Sequence, residues 1–315
     1  MGAWQYRRIS GLMVFAAAVM GPFLHPQVDA NSDPYKLKLP VDEVVLTFHA
    51  ADARGLPVND LKLSELELLD NGRHPRTVVA FDSMLNFPIR AGILMDTSES
   101  MAQAIAANRK IAIEYAKRMF REKTDQAFVM DFGYVSNIRQ SWTNDPAALN
   151  VNINSVNEGK SSPLGGTALF DAVFRACSYQ FGGLDRAASS NLILLFSDGE
   201  DNASLGSLAE AVSACERSNT AIYAFHLPAA AGSSGPRTLA ELADQTGGCV
   251  FHVDDVDAGI DGDLRIIETN TRNQYRIAYK PAELKHDGAF HEIELVGPDR
   301  VKSITVRSGY YAPAL

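Results

Sequence analysis

The chain has 315 residues, is 46% hydrophobic and carries a formal net charge of −9 at pH 7. This composition is typical of a globular protein that is long enough for one large domain and a smaller one. The excess of acidic residues argues against nucleic acid and anionic membrane surfaces as partners.

Residues 1–30 have the order of a secretory signal peptide. A short cationic start, MGAWQYRR, precedes an uncharged apolar stretch, GLMVFAAAVMGPFL, and the segment ends in small residues, VDA. The alternative is a retained membrane anchor, but a spanning helix needs about 20 apolar residues. We therefore expect a secreted or periplasmic protein that begins near Asn31 and is not stably inserted in a membrane.

Three cysteines, Cys177, Cys215 and Cys249, lie far apart in the chain. Export implies an oxidising compartment in which cysteines tend to pair, but three cannot all pair within one chain. No C-x-x-C occurs, which argues against a thiolate zinc site. The simplest expectation is buried thiols on helices and a strand.

Residues 40–86 have the pattern of β-strands. The segments VVLTFHA, LELLD and RTVVAF are strand candidates. The sequence DNG, Asp70 to Gly72, predicts a hairpin turn between the last two.

Residues 87–272 alternate short apolar strands with helical patterns. RAGILMD precedes a helix predicted from Met101 to Phe120, and a second helix is predicted from Thr167 to about Phe181. QAFVMDFG and VSNIRQSWT are typical of a strand and its hairpin partner. NLILLFSD, AIYAFHL and GCVFHVDD predict three more strands. Apolar strands separated by helices indicate a doubly wound α/β domain, in which helices cover both faces of a mainly parallel sheet.

Residues 273–312 return to strands without helices between them, in QYRIAYKP, AFHEIELVG and VKSITVRSGYYAP. Such strands cannot extend a parallel sheet through helical crossovers. We therefore expect them to pair with residues 40–86 in one discontinuous β-sandwich, into which the α/β domain is inserted.

Oxygen-bearing side chains follow two of the predicted parallel strands. Asp96 ends ILMD, and Ser98 and Ser100 follow at alternate positions, so an extended chain would project them to one side. Thr167 comes after two glycines at a helix start, and Asp198 ends NLILLFSD. Because ligands bind beyond the carboxyl ends of strands in open sheets, we expect these five residues to converge.

This donor set predicts a metal site. Two carboxylates and three hydroxyls suit a hard divalent cation that keeps some water, which indicates Mg²⁺ or Mn²⁺. Taken singly, Asp96, Ser98 and Thr167 also fit helix capping, but the combination favours ligation. Glu200 and Asp201 are expected on a solvated approach to the next helix. His226 is expected one strand away from the ion, in a structural role.

The segments DTSES, GGTALFD and FSDGED resemble the metal-ion-dependent adhesion site, or MIDAS, of von Willebrand factor type A (VWA) domains. The head LTFHAADARGLPVNDLKLSELELLDNG and the tail from IIETNTRNQYRIAYKP to SGYYAP resemble a bacterial secreted family, the VWFA-related Acidobacterial domain. The resemblance implies a Rossmann-like fold in which these five residues ligate the ion directly or through water. Adhesion domains often have glycines where this chain has Thr97 and Glu99, and alternation should turn Glu99 away from the ion.

Three functions fit a metal at this position. A binding module would use the ion to capture an Asp or Glu carboxylate of a partner protein, a hydrolase would use it to activate water, and a scaffold would use it to tie loops together. The sequence has no G-x-S-x-G, P-loop or H-E-x-x-H motif. We therefore expect a non-enzymatic adhesion or assembly module.

Overall fold

The computed structural model describes residues 43–120, 123–157, 165–184, 189–226, 234–252, 256–283 and 285–313. The predicted signal peptide at residues 1–30 lies outside these ranges. Within them, no helix combines the length and the apolar character that crossing a membrane would require.

The elements follow one another as strands, then alternating helices and strands, then strands again. The first strands are β1 (Val44–Ala51), β2 (Glu67–Asp70) and β3 (Thr77–Leu85). The middle strands are β4 (Ile89–Asp96), β5 (Gln126–Phe132), β6 (Ser136–Thr143), β7 (Ser190–Phe196), β8 (Thr220–His226) and β9 (Val250–His252). The last strands are β10 (Asn273–Lys280), β11 (Phe290–Val296), β12 (Ser303–Val306) and β13 (Gly309–Tyr311). The α-helices are α1 (Ile105–Met119), α2 (Pro146–Ser155), α3 (Leu169–Arg175), α4 (Leu208–Ser218), α5 (Gly235–Thr246) and α6 (Val256–Arg272).

The middle strands form one sheet in the order β6-β5-β4-β7-β8-β9. Neighbouring strands are parallel except β5 and β6, which form the predicted hairpin. The direction of winding reverses at β4, because its neighbours β5 and β7 lie on opposite sides of it. A crevice at the carboxyl ends of such strands is the usual place for a ligand.

Helices cover both faces of this sheet, as the continuous apolar strands predict. In β7, Leu192 and Leu194 face the side that α1, α2 and α6 cover, while Ile193 and Leu195 face α3, α4 and α5. All four side chains are fully buried. The doubly wound α/β fold is therefore confirmed.

Both predicted helices differ from their expected bounds. The first begins at Ile105, after a 3₁₀ turn at Glu99–Met101. The second begins at Leu169 and continues after Arg175 as a π-helical turn, Ala176–Phe181. A further 3₁₀ turn, Leu63–Glu65, precedes β2.

The two ends of the chain combine in two antiparallel sheets. One has the order β12-β1-β10-β3 and the other β13-β11-β2. Side chains from both sheets, such as Leu46 and Ile277 from the first and Leu68 and Ile293 from the second, share one buried core. The discontinuous β-sandwich around an inserted α/β domain is therefore confirmed.

The predicted hairpin at Asp70–Gly72 is wrong, although its turn forms. Asn71 and Gly72 have φ angles of 48° and 70°, and Asp70 and Arg73 exchange backbone hydrogen bonds. The flanking strands then separate, since β2 pairs with β11 and β3 pairs with β10. Pro75 lacks the N–H that a continued ladder would need, and β3 starts only after it.

Two further sequence expectations need correction. The segment VKSITVRSGYYAP forms two strands, since β12 pairs with β1 and β13 pairs with β11.

The expectation of free thiols is wrong for Cys177 and Cys215, which form a disulfide with Cα atoms 4.9 Å apart. The reason is that the π-helical turn and α4 pack side by side on one face of the sheet. Cys249 is free and partly buried.

Candidate functional site

Asp96 is the last residue of β4, at the point where the winding reverses, and it is fully buried. One carboxylate oxygen accepts a hydrogen bond from the backbone N–H of Ser98 (2.8 Å), and the other accepts one from the Ser197 hydroxyl (2.7 Å). Each oxygen of an ionised carboxylate has a second lone pair, so both remain able to bind a cation. Asp96 is thus held in a fixed orientation at the crevice.

The two serines after Asp96 come together in a way that the sequence did not predict. The chain does not stay extended, because the 3₁₀ turn starts at Glu99. The hydroxyl oxygens of Ser98 and Ser100 nevertheless lie 3.1 Å apart. Glu99 between them is exposed. The turn therefore produces the pair of hydroxyls that alternation in an extended chain was expected to produce.

Thr97, which follows Asp96, has a structural role. It is buried, and both its backbone N–H and its hydroxyl donate to the carbonyl oxygen of Phe132, at 2.7 and 2.9 Å. These bonds fix the start of the loop to the end of β5.

Asp198 lies in the loop after β7 and is 9% exposed. One carboxylate oxygen accepts from the N–H of Glu200 (3.1 Å). Gly199 has a φ of +82°, and a Cβ there would lie 2.2 Å from the carbonyl oxygen of Gly235. A side chain at Gly199 would therefore force this loop away from the start of α5.

Thr167 is buried just before α3. Its N–H donates to the side-chain oxygen of Asn202 (2.8 Å), and its carbonyl oxygen accepts from the N–H of Asn202 (3.0 Å). Asn202 belongs to the loop that carries Asp198, so the Thr167 and Asp198 loops are joined.

Burial and neighbouring groups shift the pKa of Asp96. The pKa of Asp96 is raised to about 6, mainly because the carboxyl is buried. The negative charge of Asp198 also raises this pKa, whereas hydrogen bonds from Ser98 and Ser197 lower it. None of the ion pairs between described residues involves Asp96 or Asp198. Two neighbouring carboxylates therefore lie at this site without an ion pair to a basic side chain in the described part of the chain.

The structure connects the predicted ligands to different degrees. Hydrogen bonds join Asp96 to Ser98 and Ser98 to Ser100, and Asn202 connects Thr167 to the Asp198 loop. Asp198 is close enough to Asp96 for its negative charge to raise the pKa of Asp96. The described residues contain no group of three or more His, Cys, Asp or Glu side chains that could hold a metal. An ion here would therefore need the hydroxyls, and ligation by the five residues remains a prediction.

Sequence reasoning missed Ser197 and Asn202. Ser197 donates to Asp96 and accepts from the N–H of Gly199 (3.0 Å), so it bridges the loops after β4 and β7. A polar residue directly after a buried apolar strand is a visible signal for Ser197. No sequence signal identifies Asn202, because its role depends on a contact with a segment 35 residues away.

The expectation of solvated carboxylates next to Asp198 is wrong. Glu200 accepts from the N–H of Gly235 (3.0 Å) and from the hydroxyl of Ser234 (3.1 Å). Asp201 accepts from the N–H of Phe170 (3.0 Å) in the first turn of α3. Both residues tie the Asp198 loop to neighbouring helices.

His226 ends β8, which lies next to β7 as predicted. Its Nδ1 lies 3.4 Å from Nδ1 of His252. Burial lowers the pKa of His226, His252 lowers it further and Asp198 raises it. The imidazole is therefore packed against His252, which belongs to the edge strand β9.

Comparisons with known proteins agree with this architecture. The model of the von Willebrand factor type A domain matches residues 92–263, more than half of the chain. No curated protein sequence matches the chain.

Several solved structures are similar to parts of the chain. The conserved hypothetical protein BatB from Bacteroides thetaiotaomicron is 17% identical, with 57% of this chain and 97% of that chain covered and a TM-score of 0.47. Proximal thread matrix protein 1 from the mussel byssus, with a zinc-occupied MIDAS motif, is 14% identical, with 59% and 48% covered and a TM-score of 0.46. The SpRpn10 VWA domain is 13% identical, with 57% and 96% covered and a TM-score of 0.44. These identities are too low to transfer a function.

Proposed function

This chain belongs to the von Willebrand factor type A domain family, and we propose that it is an exported protein-binding module with a working metal-ion-dependent adhesion site. In this proposal the ligands are Asp96, Ser98, Ser100, Thr167 and Asp198, and the ion is Mg²⁺ or Mn²⁺. When bound, the ion would offer a coordination position to an Asp or Glu carboxylate of the partner protein.

The family supports the general part of this proposal. VWA domains are commonly protein-interaction modules with a MIDAS, typically without enzymatic activity, and often bind a divalent metal there. The mussel protein shows that zinc occupies the motif in one protein of similar fold. The choice of Mg²⁺ or Mn²⁺ for this chain rests on its oxygen donors, which these ions prefer.

The observation that carries the proposal is the pair of neighbouring aspartates, neither of which forms an ion pair with a described basic side chain. Asp96 is fully buried, and the charge of Asp198 makes its ionised form less favourable. Buried charges are normally paired or bound to metal, because desolvation without compensation is costly. A divalent cation would neutralise both carboxylates.

The ion would supply a positive charge that prefers oxygen ligands and can accept a carboxylate. The residues of this chain hold the loops in place: Ser197 orients Asp96, and Asn202 fixes the Thr167 loop to the Asp198 loop. Because Ser98, Ser100 and Thr167 contribute no charge, the five ligands do not exceed the charge of the ion. The site therefore stays attractive to a further anion.

Affinity capture tests the binding role. The mature protein, immobilised with Mg²⁺, is exposed to an extract of the envelope and medium of its natural cells, and the capture is repeated with chelator and with Asp96→Ala. We expect partners that are lost in both controls and are competed by free acidic peptides. Capture that is identical with chelator would contradict the adhesion role. Metal-dependent hydrolysis of a captured component would favour the hydrolase instead.

Export is tested by mass spectrometry of the protein from its natural cells. We expect a mature terminus near Asn31 in the extracytoplasmic fraction. An intact Met1 terminus in the membrane fraction would indicate a retained anchor.

A further inference from the structure

An exposed groove with both apolar and polar lining lies beside the candidate ion site. Its walls are Tyr134 and Val135, from the turn between β5 and β6, and Leu205, from the loop before α4. These side chains are 44%, 45% and 99% exposed. Residues of α3, including Ala172 and Phe174, complete the groove, whose volume is about 290 Å³.

The loop that carries Leu205 is held in position by hydrogen bonds. The N–H of Leu205 and that of Gly206 donate to the two carboxylate oxygens of Asp171, at 3.0 and 2.9 Å. Ser204 contributes in two ways, since its hydroxyl donates to Asp201 and accepts from the N–H of Asp171. The backbone that presents Leu205 to solvent is therefore already ordered, which lowers the entropic cost of using the side chain in binding.

One end of the groove comes close to the candidate ion site. Ala168, which lines it, directly follows Thr167, and its N–H donates to the carbonyl oxygen of Gly133 (2.8 Å). A Cβ at Gly166 would lie 3.8 Å from the ring of Tyr134. A ligand group on the ion would thus lie near the apolar side chains of the groove.

Charge at the other end of the groove indicates the chemistry of the occupant. Arg175 lines that end and is exposed. The carboxylate of Asp171 is already engaged by two backbone N–H groups. Ala168 and Arg175 are seven positions apart in the sequence, which corresponds to about 10 Å along a helix axis at 1.5 Å per residue. An extended peptide covers that distance in about three residues.

We propose that this groove binds an extended acidic segment of the partner protein, in which an apolar side chain lies between two carboxylates about three residues apart. The first carboxylate is the one that the ion receives, so this inference rests on the proposed function. The apolar side chain packs between Leu205, Tyr134 and Val135. The second carboxylate pairs with Arg175.

The test uses a phage-displayed library of short random peptides, selected on the immobilised mature protein with Mn²⁺ and eluted with chelator. Affinities of the selected peptides are then measured for wild type, Leu205→Ser, Arg175→Gln and the control Val151→Ser. Val151 is 67% exposed on α2 of the same domain and does not line the groove. Mn²⁺ affinity is measured for each variant without peptide.

We expect the selected peptides to share an apolar residue between two acidic residues. Because burying a leucine side chain contributes about 1.5–3 kcal/mol, Leu205→Ser should weaken them about tenfold to a hundredfold. Arg175→Gln should weaken only the peptides that have the second acid. Both variants should bind Mn²⁺ like wild type, and Val151→Ser should bind peptide like wild type.

Two results would contradict the proposed role of the groove without contradicting the assignment of the ion site. One is a set of metal-dependent peptides that need an acidic residue but no apolar neighbour. The other is equal peptide affinity for Leu205→Ser and wild type. Self-association that depends on Leu205, seen by light scattering, would assign the groove to a second copy of the chain instead. Failure of Mn²⁺ to bind wild type would instead reject the proposed function itself, and the groove proposal with it.

Discussion

Replacing Arg272 by Met should destabilise the protein strongly, because Arg272 closes the junction between the sandwich and the inserted domain. Its guanidinium makes two bonds to the carboxylate of Asp125, at 2.5 and 3.2 Å, and donates to the carbonyl oxygens of Met119 (2.8 Å) and Phe87 (3.2 Å). The side chains of Arg272 and Asp125 are 7% and 0% exposed. Asp125 also accepts from the N–H of Ile89 (2.8 Å), at the start of β4.

The expected magnitude follows from this burial. Removing one partner of a buried ion pair leaves an uncompensated charge and costs about 3–5 kcal/mol. Arg272→Met should therefore lower the free energy of unfolding by about that amount. The double variant Arg272→Met with Asp125→Leu should recover part of the loss, since it removes the stranded charge. It should not recover all of it, because the N–H of Ile89 then loses its acceptor.

The assay is equilibrium unfolding in urea, followed by tryptophan fluorescence and circular dichroism. A matched control is Arg276→Met, which breaks the ion pair between Arg276 and Asp82, whose side chains are 23% and 46% exposed. Exposed pairs contribute about 0–1 kcal/mol, so this control should change stability little. Equal losses for Arg272→Met and Arg276→Met would refute the reasoning from burial.

Two further predictions concern stability. Within the sandwich, Asp70 accepts hydrogen bonds from the hydroxyls of Tyr279 and Tyr310, both at 2.8 Å. Asp70→Asn should therefore lower the free energy of unfolding by about 1–3 kcal/mol. An unchanged urea midpoint would contradict this prediction. The disulfide between Cys177 and Cys215 closes a loop with a sequence separation of 38, so replacing both cysteines by Ala should cost about 2–4 kcal/mol. If the chain is equally stable with and without reductant, the disulfide does not stabilise it.

The parts of the fold that the sequence predicted are those in which buried apolar positions recur in a regular pattern along the chain. The apolar run of β7 is buried on both faces, so it indicated a covered parallel strand directly. The strands of residues 273–312 lacked intervening helices, which excluded them from that sheet and indicated the sandwich. These inferences need only the local pattern and the rules of strand connection.

The features that sequence did not predict depend on contacts between distant segments. Cys177 and Cys215 pair because two helical segments pack on the same sheet face, which spacing in the sequence does not reveal. The DNG turn formed as its residues require, but its strands joined different sheets, because tertiary pairing overrode the local hairpin preference.

At the candidate site, too, the local sequence pattern predicted some features, and contacts between distant segments determined the others. Asp96 and Asp198 were identifiable, because each follows an apolar strand of a predicted parallel sheet. The 3₁₀ turn that brings Ser98 and Ser100 together was not identifiable. The bridge through Ser197 was also hidden, since it depends on the order of β4 and β7 in the sheet.

Calorimetric titration of Mn²⁺ and Mg²⁺ into the mature protein is the most direct test of the central claim. We expect wild type to bind one ion, and Asp96→Ala and Asp198→Ala to lose at least about tenfold in affinity, by analogy with the 10 to 100-fold effects of outer-shell partners. Asp82→Ala, which removes a partly exposed carboxylate in β3 of the sandwich, serves as the control and should bind like wild type. Circular dichroism should show that all three variants are folded. Equal metal affinity in all four proteins, or no binding by wild type, would contradict the assignment of the site.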